Sequence, residues 1–322
     1  MKCSNSKRVF FGRNISMEEK DENCKVFVMK DQTGKGVMKS YIVFPGIELM
    51  FNNFQMCHGH SEFRPNVPML TINHCREGRL EWEVQNGTFM YINEGDIQIS
   101  TNEYGNNFFS FPLAYYQGVT VAIYIEQALD TMDQIFEEFS INLQQIKAKF
   151  CSRSSSFLMR TTKAVHHIFS ELYDVPDEIC IHYYRIKVLE LLLLLSVVNT
   201  KTHIDNHQYF PKRQVETVKE IMAFLRKHMD EHITLQELSV KFNISSTAMK
   251  NCFKAIYGQS IYAYMRTYRI QKAAQFLRKT DDTVTTIASK VGYSNPSKFA
   301  AAFKEIKGMP PTEYQKAFVG ME

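Results

Sequence analysis

Two imidazoles, a thiol and a carboxylate stand close together in Cys57-His58-Gly59-His60 and Glu62. On a strand, alternate side chains share a face, so His58 and His60 would point the same way. Neutral imidazoles placed like that are ligands for zinc or a similar divalent ion. His74 and Cys75 lie on a neighbouring run and would add to such a site. The competing reading makes all of these ordinary surface or core side chains with no metal. His166 and His167 are adjacent on a helical stretch, diverge, and belong to no common site on this reading. Trp82, the only Trp, alternates with Leu80 and Val84 and is either core or the wall of a pocket. With His74 it is the candidate contact for a small ligand. G-x-S-x-G, H-E-x-x-H and a phosphate-cradling glycine loop are missing from the sequence. Those motifs carry nucleophilic, zinc-hydrolytic and nucleotide chemistry, so the chain reads as a non-enzyme without a cofactor.

The elements that must hold these residues change character along the chain. Residues 25–126 read as strands, with short runs at 38–44, 47–51, 69–74, 80–84, 88–92, 97–101 and 119–125 separated by turn residues. Asn86-Gly87 between two alternating runs is a hairpin signal, because both residues tolerate positive φ. Many short strands at this spacing predict a β-barrel-like arm over residues 1–126. Residues 127–200 switch to a helical period, with Met132, Ile135, Phe136 and Phe139 on one face and Ile186, Leu189, Leu193 and Val197 on another. Residues 191–195 are apolar all round, so that helix should be covered on several sides. The cover is either the β-region or a second copy of the chain, and this stretch is the expected dimer surface. Residues 201–211 are polar, end in Pro211 and read as a linker.

Composition sets the outer bounds. A length of 322 residues suits two domains, and 44% apolar with 22% charged residues is ordinary for a soluble protein. The start of the chain has no apolar segment of secretory type, and the longest apolar run, 188–198, is broken by Glu190 and Ser196. A bilayer needs ~20 such residues, so no membrane partner is expected. Seven scattered Cys without a C-x-x-C pair fit reduced thiols in the cytoplasm. Residues 212–322 hold 18 Lys+Arg and 10 Asp+Glu, a net +8, which leaves 20 basic and 24 acidic residues, or −4, in the remainder. A basic module behind a mildly acidic one points to a nucleic-acid partner.

An internal repeat sharpens that reading. Met249, Phe253, Lys254, Ile256 and Gly258 recur fifty residues later as Phe299, Phe303, Lys304, Ile306 and Gly308. Leu238 recurs as Ile287 at an offset of forty-nine, the extra residue lying where Gly292-Tyr293-Ser294 replaces Asn243-Ile244. Two copies of short helix, turn and second helix are two helix-turn-helix units. Leu238, Ile244, Met249 and Phe253 would form one small core, and Ile287, Val291, Tyr293, Phe299 and Phe303 the other. Thr234-Leu-Gln-Glu237 is a capping box; Ser245 and Asn295 would cap the second helices. A helix over 261–279 would join the copies, spanning ~28 Å at ~1.5 Å per residue. Two recognition helices about one DNA turn apart, ~34 Å, could be held that way.

The dense set Tyr264, Arg269-Ile270, Ala273, Leu277, Ile287-Ala288, Val291-Gly292-Tyr293, Phe299, Phe303-Lys304, Gly308, Pro311 and Tyr314 resembles the DNA-binding domain of the AraC/XylS family of bacterial transcription regulators. Gln315 departs from it, since the family commonly has Arg there. More loosely, Gly95-Asp96 resembles the family's cupin-like arm, and the stretches 44–48 and 187–192 resemble its siderophore-responsive branch. The resemblance implies an α+β multidomain chain, with a cupin-like β-barrel, a helical dimerisation region over 127–200 and an all-α double helix-turn-helix domain over 212–322. It implies that Thr247, Lys250 and Asn251 read bases in copy one and Ser297 and Lys298 in copy two, where Ala300 and Ala301 replace the Lys-Asn pair. Lys can reach guanine acceptors and Asn can pair with adenine, whereas Ala touches only a thymine methyl. Lys254, Arg266 and Lys304 would hold phosphates, and Arg269 would join the linker helix to both units. Promoter DNA, RNA polymerase, a small-molecule effector in the barrel and a second copy of the chain are the implied partners, and activation the implied sign. The alternatives are a DNA-binding protein that needs no ligand, or a metal-binding cupin carrying a DNA-binding module.

Overall fold

The computed structural model of the protein describes residues 15–60, 67–84, 87–101, 108–152, 156–200, 209–280 and 282–318. The chain divides into two units, Met1–Tyr209 and Phe210–Glu322. Most of the expected linker, together with Glu62 and Asn86, lies outside the described residues.

The first unit is built on antiparallel strands. Strands β1 (Ile15–Glu19), β2 (Cys24–Asp31), β3 (Gly34–Phe44) and β4 (Ile47–Gln55) form a meander. β10 (Tyr116–Tyr124) pairs with β4 on one side and with β6 (Met69–Val84) on the other. β8 (Asp96–Thr101) follows on β6, and β11 (Ser156–Arg160) on β8. Two of the runs expected from the sequence, 69–74 and 80–84, are one long strand in β6. It bends at Gly78, whose φ is +83° and where a Cβ would lie 2.2 Å from the Tyr115 carbonyl oxygen. Beyond the bend β6 pairs with β7 (Thr88–Asn93) and β9 (Phe108–Ser110), which in turn carries β5 (His58–His60).

This sheet curls. Ile15 on β1 and Leu158 on β11, at opposite ends of the run, pack into one apolar cluster with Phe27, Phe54, Cys75 and Phe111. The result is a half-barrel compatible with a cupin-like arm, rather than a closed barrel. Its inner face carries that cluster and, beside it, a belt of hydrogen-bonded polar side chains across five strands. Asn52 Nδ2 donates to Thr120 Oγ1 at 2.9 Å, and Thr120 Oγ1 donates to Asn73 Oδ1 at 2.7 Å. Asn73 Nδ2 donates to Gln98 Oε1 at 3.0 Å, and Gln98 Nε2 to Ser156 Oγ at 2.8 Å. The alternate residues, among them Leu49, Leu70, Ile72, Ile97, Val119 and Val121, bury the outer face under helices.

Those helices are α1 (Ile125–Glu138), α2 (Leu143–Cys151), α3 (Lys163–Glu171) and α4 (Cys180–Val197). α4 buries Tyr184, Val188, Leu191, Leu192 and Leu195 in its own unit, and Lys187 Nζ sits between Glu171 and Glu190, 2.9 Å from the latter. Ile186 and Val197 face away, 62% and 76% exposed, while Leu189 and Leu193 between them are half-buried against the same core. Both stripes are apolar, so the 3.6-residue period by itself does not say which one turns inward. The expected dimer surface at 191–195 is therefore largely spent on the intramolecular core. Among the described residues no helix is long and apolar enough to cross a membrane.

Among its described residues the second unit has a two-residue strand, Phe210–Pro211, and is otherwise helical: α5 (Lys212–Lys227), α6 (Leu235–Lys241), α7 (Ser246–Tyr257), α8 (Ile261–Lys279), α9 (Val284–Lys290), α10 (Pro296–Lys307) and α11 (Pro311–Phe318). Val215, Val218, Ile221, Met222 and Leu225 line the buried stripe of α5. Met249, Cys252, Phe253 and Ile256 are buried on α7; Phe299, Ala302 and Phe303 are their counterparts on α10.

Candidate nucleic-acid interface

The two short-helix, long-helix pairs α6–α7 and α9–α10 share their local chemistry. Thr234 Oγ1 accepts from Glu237 N at 3.2 Å while Glu237 Oε2 accepts from Thr234 N at 2.7 Å, completing the capping box on α6. These hydrogen bonds from the Thr234 backbone and side chain hold the Glu237 carboxyl below its ordinary range. On α9, Thr283 Oγ1 accepts from Thr286 N at 3.2 Å. The turn after each short helix takes one residue into the left-handed region, Asn243 at φ +49° and Gly292 at φ +80°. Ile244 N then donates to Ser239 O and Tyr293 N to Ala288 O, the same closure at an offset of forty-nine. Ser294 is thus the residue that lengthens the second turn. Gly is required there, since a Cβ on Gly292 would lie 2.5 Å from the Met229 carbonyl oxygen.

The long helices start and stop alike. Ser245 Oγ accepts from Ala248 N, and Asn295 Oδ1 accepts from Ser297 N and Lys298 N. Pro296 fills the first turn of α10, where a missing N–H removes no helical bond. Gly258 and Gly308 end the two helices in the left-handed conformation, as helix-terminating glycines commonly do.

Locking both ends fixes what each helix presents. Thr247, Lys250, Asn251 and Lys254 are exposed at i, i+3, i+4 and i+7, one stripe of α7 opposite the buried Met249, Phe253 and Ile256. On α10 the exposed stripe is Ser297, Lys298, Ala301 and Lys304, with Ala300 half-buried. The first helix thus offers an amide, a hydroxyl and two ammonium groups, the second two ammonium groups and a hydroxyl. α8 runs over 261–279, the span expected of the joining helix. Arg269 Nη2 on α8 donates to the Glu231 carbonyl at 2.8 Å, securing α8 to the connection between α5 and α6.

Two side chains are engaged inside the unit. Arg266 is clasped by Glu305 on α10, and this pairing raises the Arg266 pKa and lowers that of Glu305. Gln315 donates to the Asp282 carbonyl at 3.1 Å. The Glu305 clasp escaped the sequence reading because its partner lies thirty-nine residues away on another helix.

In the first unit, His58 and His60 lie on β5 with buried Gly59 between them, where a Cβ would meet the Phe109 ring at 2.3 Å. His58 Nε2 is 3.5 Å from Asp31 Oδ2. Among the described residues no three His, Cys, Asp or Glu side chains are grouped to hold a metal. Trp82 is half-buried against the inner apolar cluster. His74 faces the other way, onto α3, so the two tentative ligand contacts lie on opposite faces of the sheet.

A helical unit with capped, exposed polar helix faces is the architecture of a helix-turn-helix DNA-binding domain. Residues 238–317 match a family of helix-turn-helix domains, and this stretch is a helix-turn-helix domain of the AraC type. The uncharacterized regulator YisR of Bacillus subtilis (strain 168) is 30% identical over 115 residues, 35% of this chain and 40% of that protein. A putative AraC-like transcription regulator of Streptomyces lividans is 37% identical over 83 residues, 26% of this chain and 27% of that protein. The uncharacterized regulator SACOL0084 of Staphylococcus aureus (strain COL) is 25% identical over 158 residues, 48% of this chain and 21% of that protein. The chain thus spans less than half the length of these relatives.

Proposed function

We propose that the protein is a sequence-specific transcription regulator that reads double-stranded promoter DNA with both helix pairs. The observation that carries this reading is the exposed stripe Thr247, Lys250, Asn251 and Lys254 on a helix whose opposite face is fully buried. Lys250 and Asn251 read bases in the major groove, with Thr247 beside them. Ser297 and Lys298 add contacts under the second pair, where alanines limit hydrogen-bonded readout. Lys254 and Lys304 hold phosphates, and Arg266 does so once released from Glu305.

The inner face of the half-barrel takes the small-molecule effector. Its support is the polar belt running from Asn52 to Ser156, an array of hydrogen-bonding groups beside an apolar wall, which is the usual make-up of a ligand site. Trp82 lies at the edge of that wall. The chain pairs with a second copy through the outward positions of α4, Ile186 and Val197, and recruits RNA polymerase as an activator. Selection of bound duplexes from a random pool by the full chain tests the reading. Enrichment of a motif supports it; a recovered pool indistinguishable from the input contradicts it.

A further inference from the structure

On the outer side of the sheet, a cleft of about 790 Å³ opens between β6, the β7–β8 turn, the end of β11 and α3. We propose that this cleft binds a small oxyanion, either a carboxylate or a phosphate. It lies across the sheet from the polar belt and does not depend on the DNA-reading assignment.

The first ground is a set of buried polar atoms with nothing to bond. His74 is 3% exposed, and neither ring nitrogen has a hydrogen-bond partner. The Tyr173 hydroxyl, in the same cleft, has no partner at hydrogen-bonding geometry, the Arg76 side chain being its near neighbour. Among the described residues only four buried side-chain nitrogen or oxygen atoms are in this condition, and three of them line this one space. Leaving such groups unpaired is unfavourable; a neutral His74 ring has one N–H to donate, and with the Tyr173 hydroxyl it gives the cleft two buried donors for an acceptor from outside to meet. Packing keeps them in place: the His74 ring stacks on Phe169 at 4.2 Å with planes 5° apart.

The second ground is charge. Arg76, Arg79 and Arg160 line the cleft, against Glu94 as its lining carboxylate. The Arg76 guanidinium lies 3.9 Å over the Tyr173 ring, with Nε 3.8 Å from Glu77. Arg160 Nη1 is 2.9 Å from Asp96 Oδ1, and Arg79 Nη1 donates to Asn93 Oδ1. A guanidinium has five N–H donors in a flat fork, so Arg76 and Arg160 keep donors for a further acceptor. Burial pushes His74 down to about 4, so at neutral pH it is uncharged and offers one N–H. His166, 6.2 Å from His74 between ring centres, completes the wall from α3. Guanidinium forks, a neutral imidazole N–H and a phenol are all donors, and a carboxylate or phosphate is the small group that accepts from several at once. An ion held there would bridge β6 to α3. α3 is bonded to α4 through Glu171, Tyr183 and Lys187, so occupancy would reach the helix that carries the outward apolar stripe.

The test is calorimetric titration of the full chain, without DNA, with inorganic phosphate and separately with succinate at roughly 0.1 M salt. Saturable binding of one probe identifies which oxyanion the cleft takes. Arg160→Gln, whose parent side chain is 68% exposed, should weaken that binding about tenfold or more. His74→Phe, which keeps the stack and removes both nitrogens, should weaken it likewise. No saturable binding of either probe, or binding that both variants leave intact, overturns the proposal. Neither result touches the DNA-reading assignment, which is measured on a different unit with a different ligand.

Discussion

Arg266 on α8 and Glu305 on α10 form a two-pronged ion pair, with Nη1 2.9 Å from Oε1 and Nη2 2.5 Å from Oε2. Glu305 is 66% exposed on its side chain, so solvent screens the pair and its contribution to stability is small. Its effect is positional, because it fixes the Arg266 guanidinium against α10. Glu305→Gln should tighten DNA binding and steepen the salt dependence by about 0.9 in slope, one added phosphate contact. In an Arg266→Gln background the same change should do much less. Equal effects in both backgrounds would mean that Glu305 acts only as a repelling charge.

Gly292 should tolerate no side chain. Its φ is +80°, and a Cβ at this position would lie 2.5 Å from the Met229 carbonyl oxygen. Gly292→Ala should therefore destabilise the second unit by more than about 1 kcal/mol. Asn243→Gly, at the equivalent turn, should be near neutral. Urea unfolding of both variants measures the contrast, and equal midpoints would contradict it.

His74 should make the protein acid-sensitive. Its folded pKa of about 4 lies below the ordinary 6.5, chiefly through burial. Below pH 6.5 the unfolded chain takes up a proton that the folded chain refuses, so stability present above 6.5 is lost as pH falls toward 4. The loss is on the order of 3 kcal/mol. His74→Phe should flatten this limb of a stability-against-pH curve; an unchanged limb would show that other groups set it.

Glu237 supplies a second, lower limb. Its carboxyl is held down by the Thr234 backbone and hydroxyl, so the capping box stabilises α6 above the ordinary carboxylate pKa of 4.5 and loses that as pH falls through the lowered value. Thr234→Ala should lower stability by about 1 kcal/mol at neutral pH, with a smaller deficit in acid. A deficit that stays constant down the titration would remove the capping box as its cause.

The outward stripe of α4 makes a claim about assembly. Ile186→Asp should leave a folded chain that sediments as a monomer, whereas Leu192→Asp, at a side chain with 0% exposure, should unfold the first unit. A folded dimer of the Ile186 variant would rule out this face.

Helices α7 and α10 were legible in the sequence because their signals are local: in each, the cap (Ser245 or Asn295), the terminating glycine (Gly258 or Gly308) and the buried Phe (Phe253 or Phe303) sit within one helix length. Long-range contacts were not. Nothing in the pattern Leu80-Trp82-Val84 says that it continues the strand of His74 through a bend at Gly78. Strand β11 falls inside a stretch of helical period and is recruited by pairing with β8. The two apolar stripes of α4 look alike until the sheet beneath them chooses one. His166 read as an unattached residue because its neighbour across the cleft, His74, is ninety-two residues away.

The central claim, that α7 reads sequence, is tested most directly by fluorescence anisotropy of the full chain on the duplex recovered by selection and on a scrambled duplex of equal length. A strong preference for the selected duplex is expected. Lys250→Ala and Asn251→Ala should each cost about 1–3 kcal/mol on that duplex and little on the scrambled one. Equal affinity for the two duplexes, with both variants binding like the parent, would contradict it.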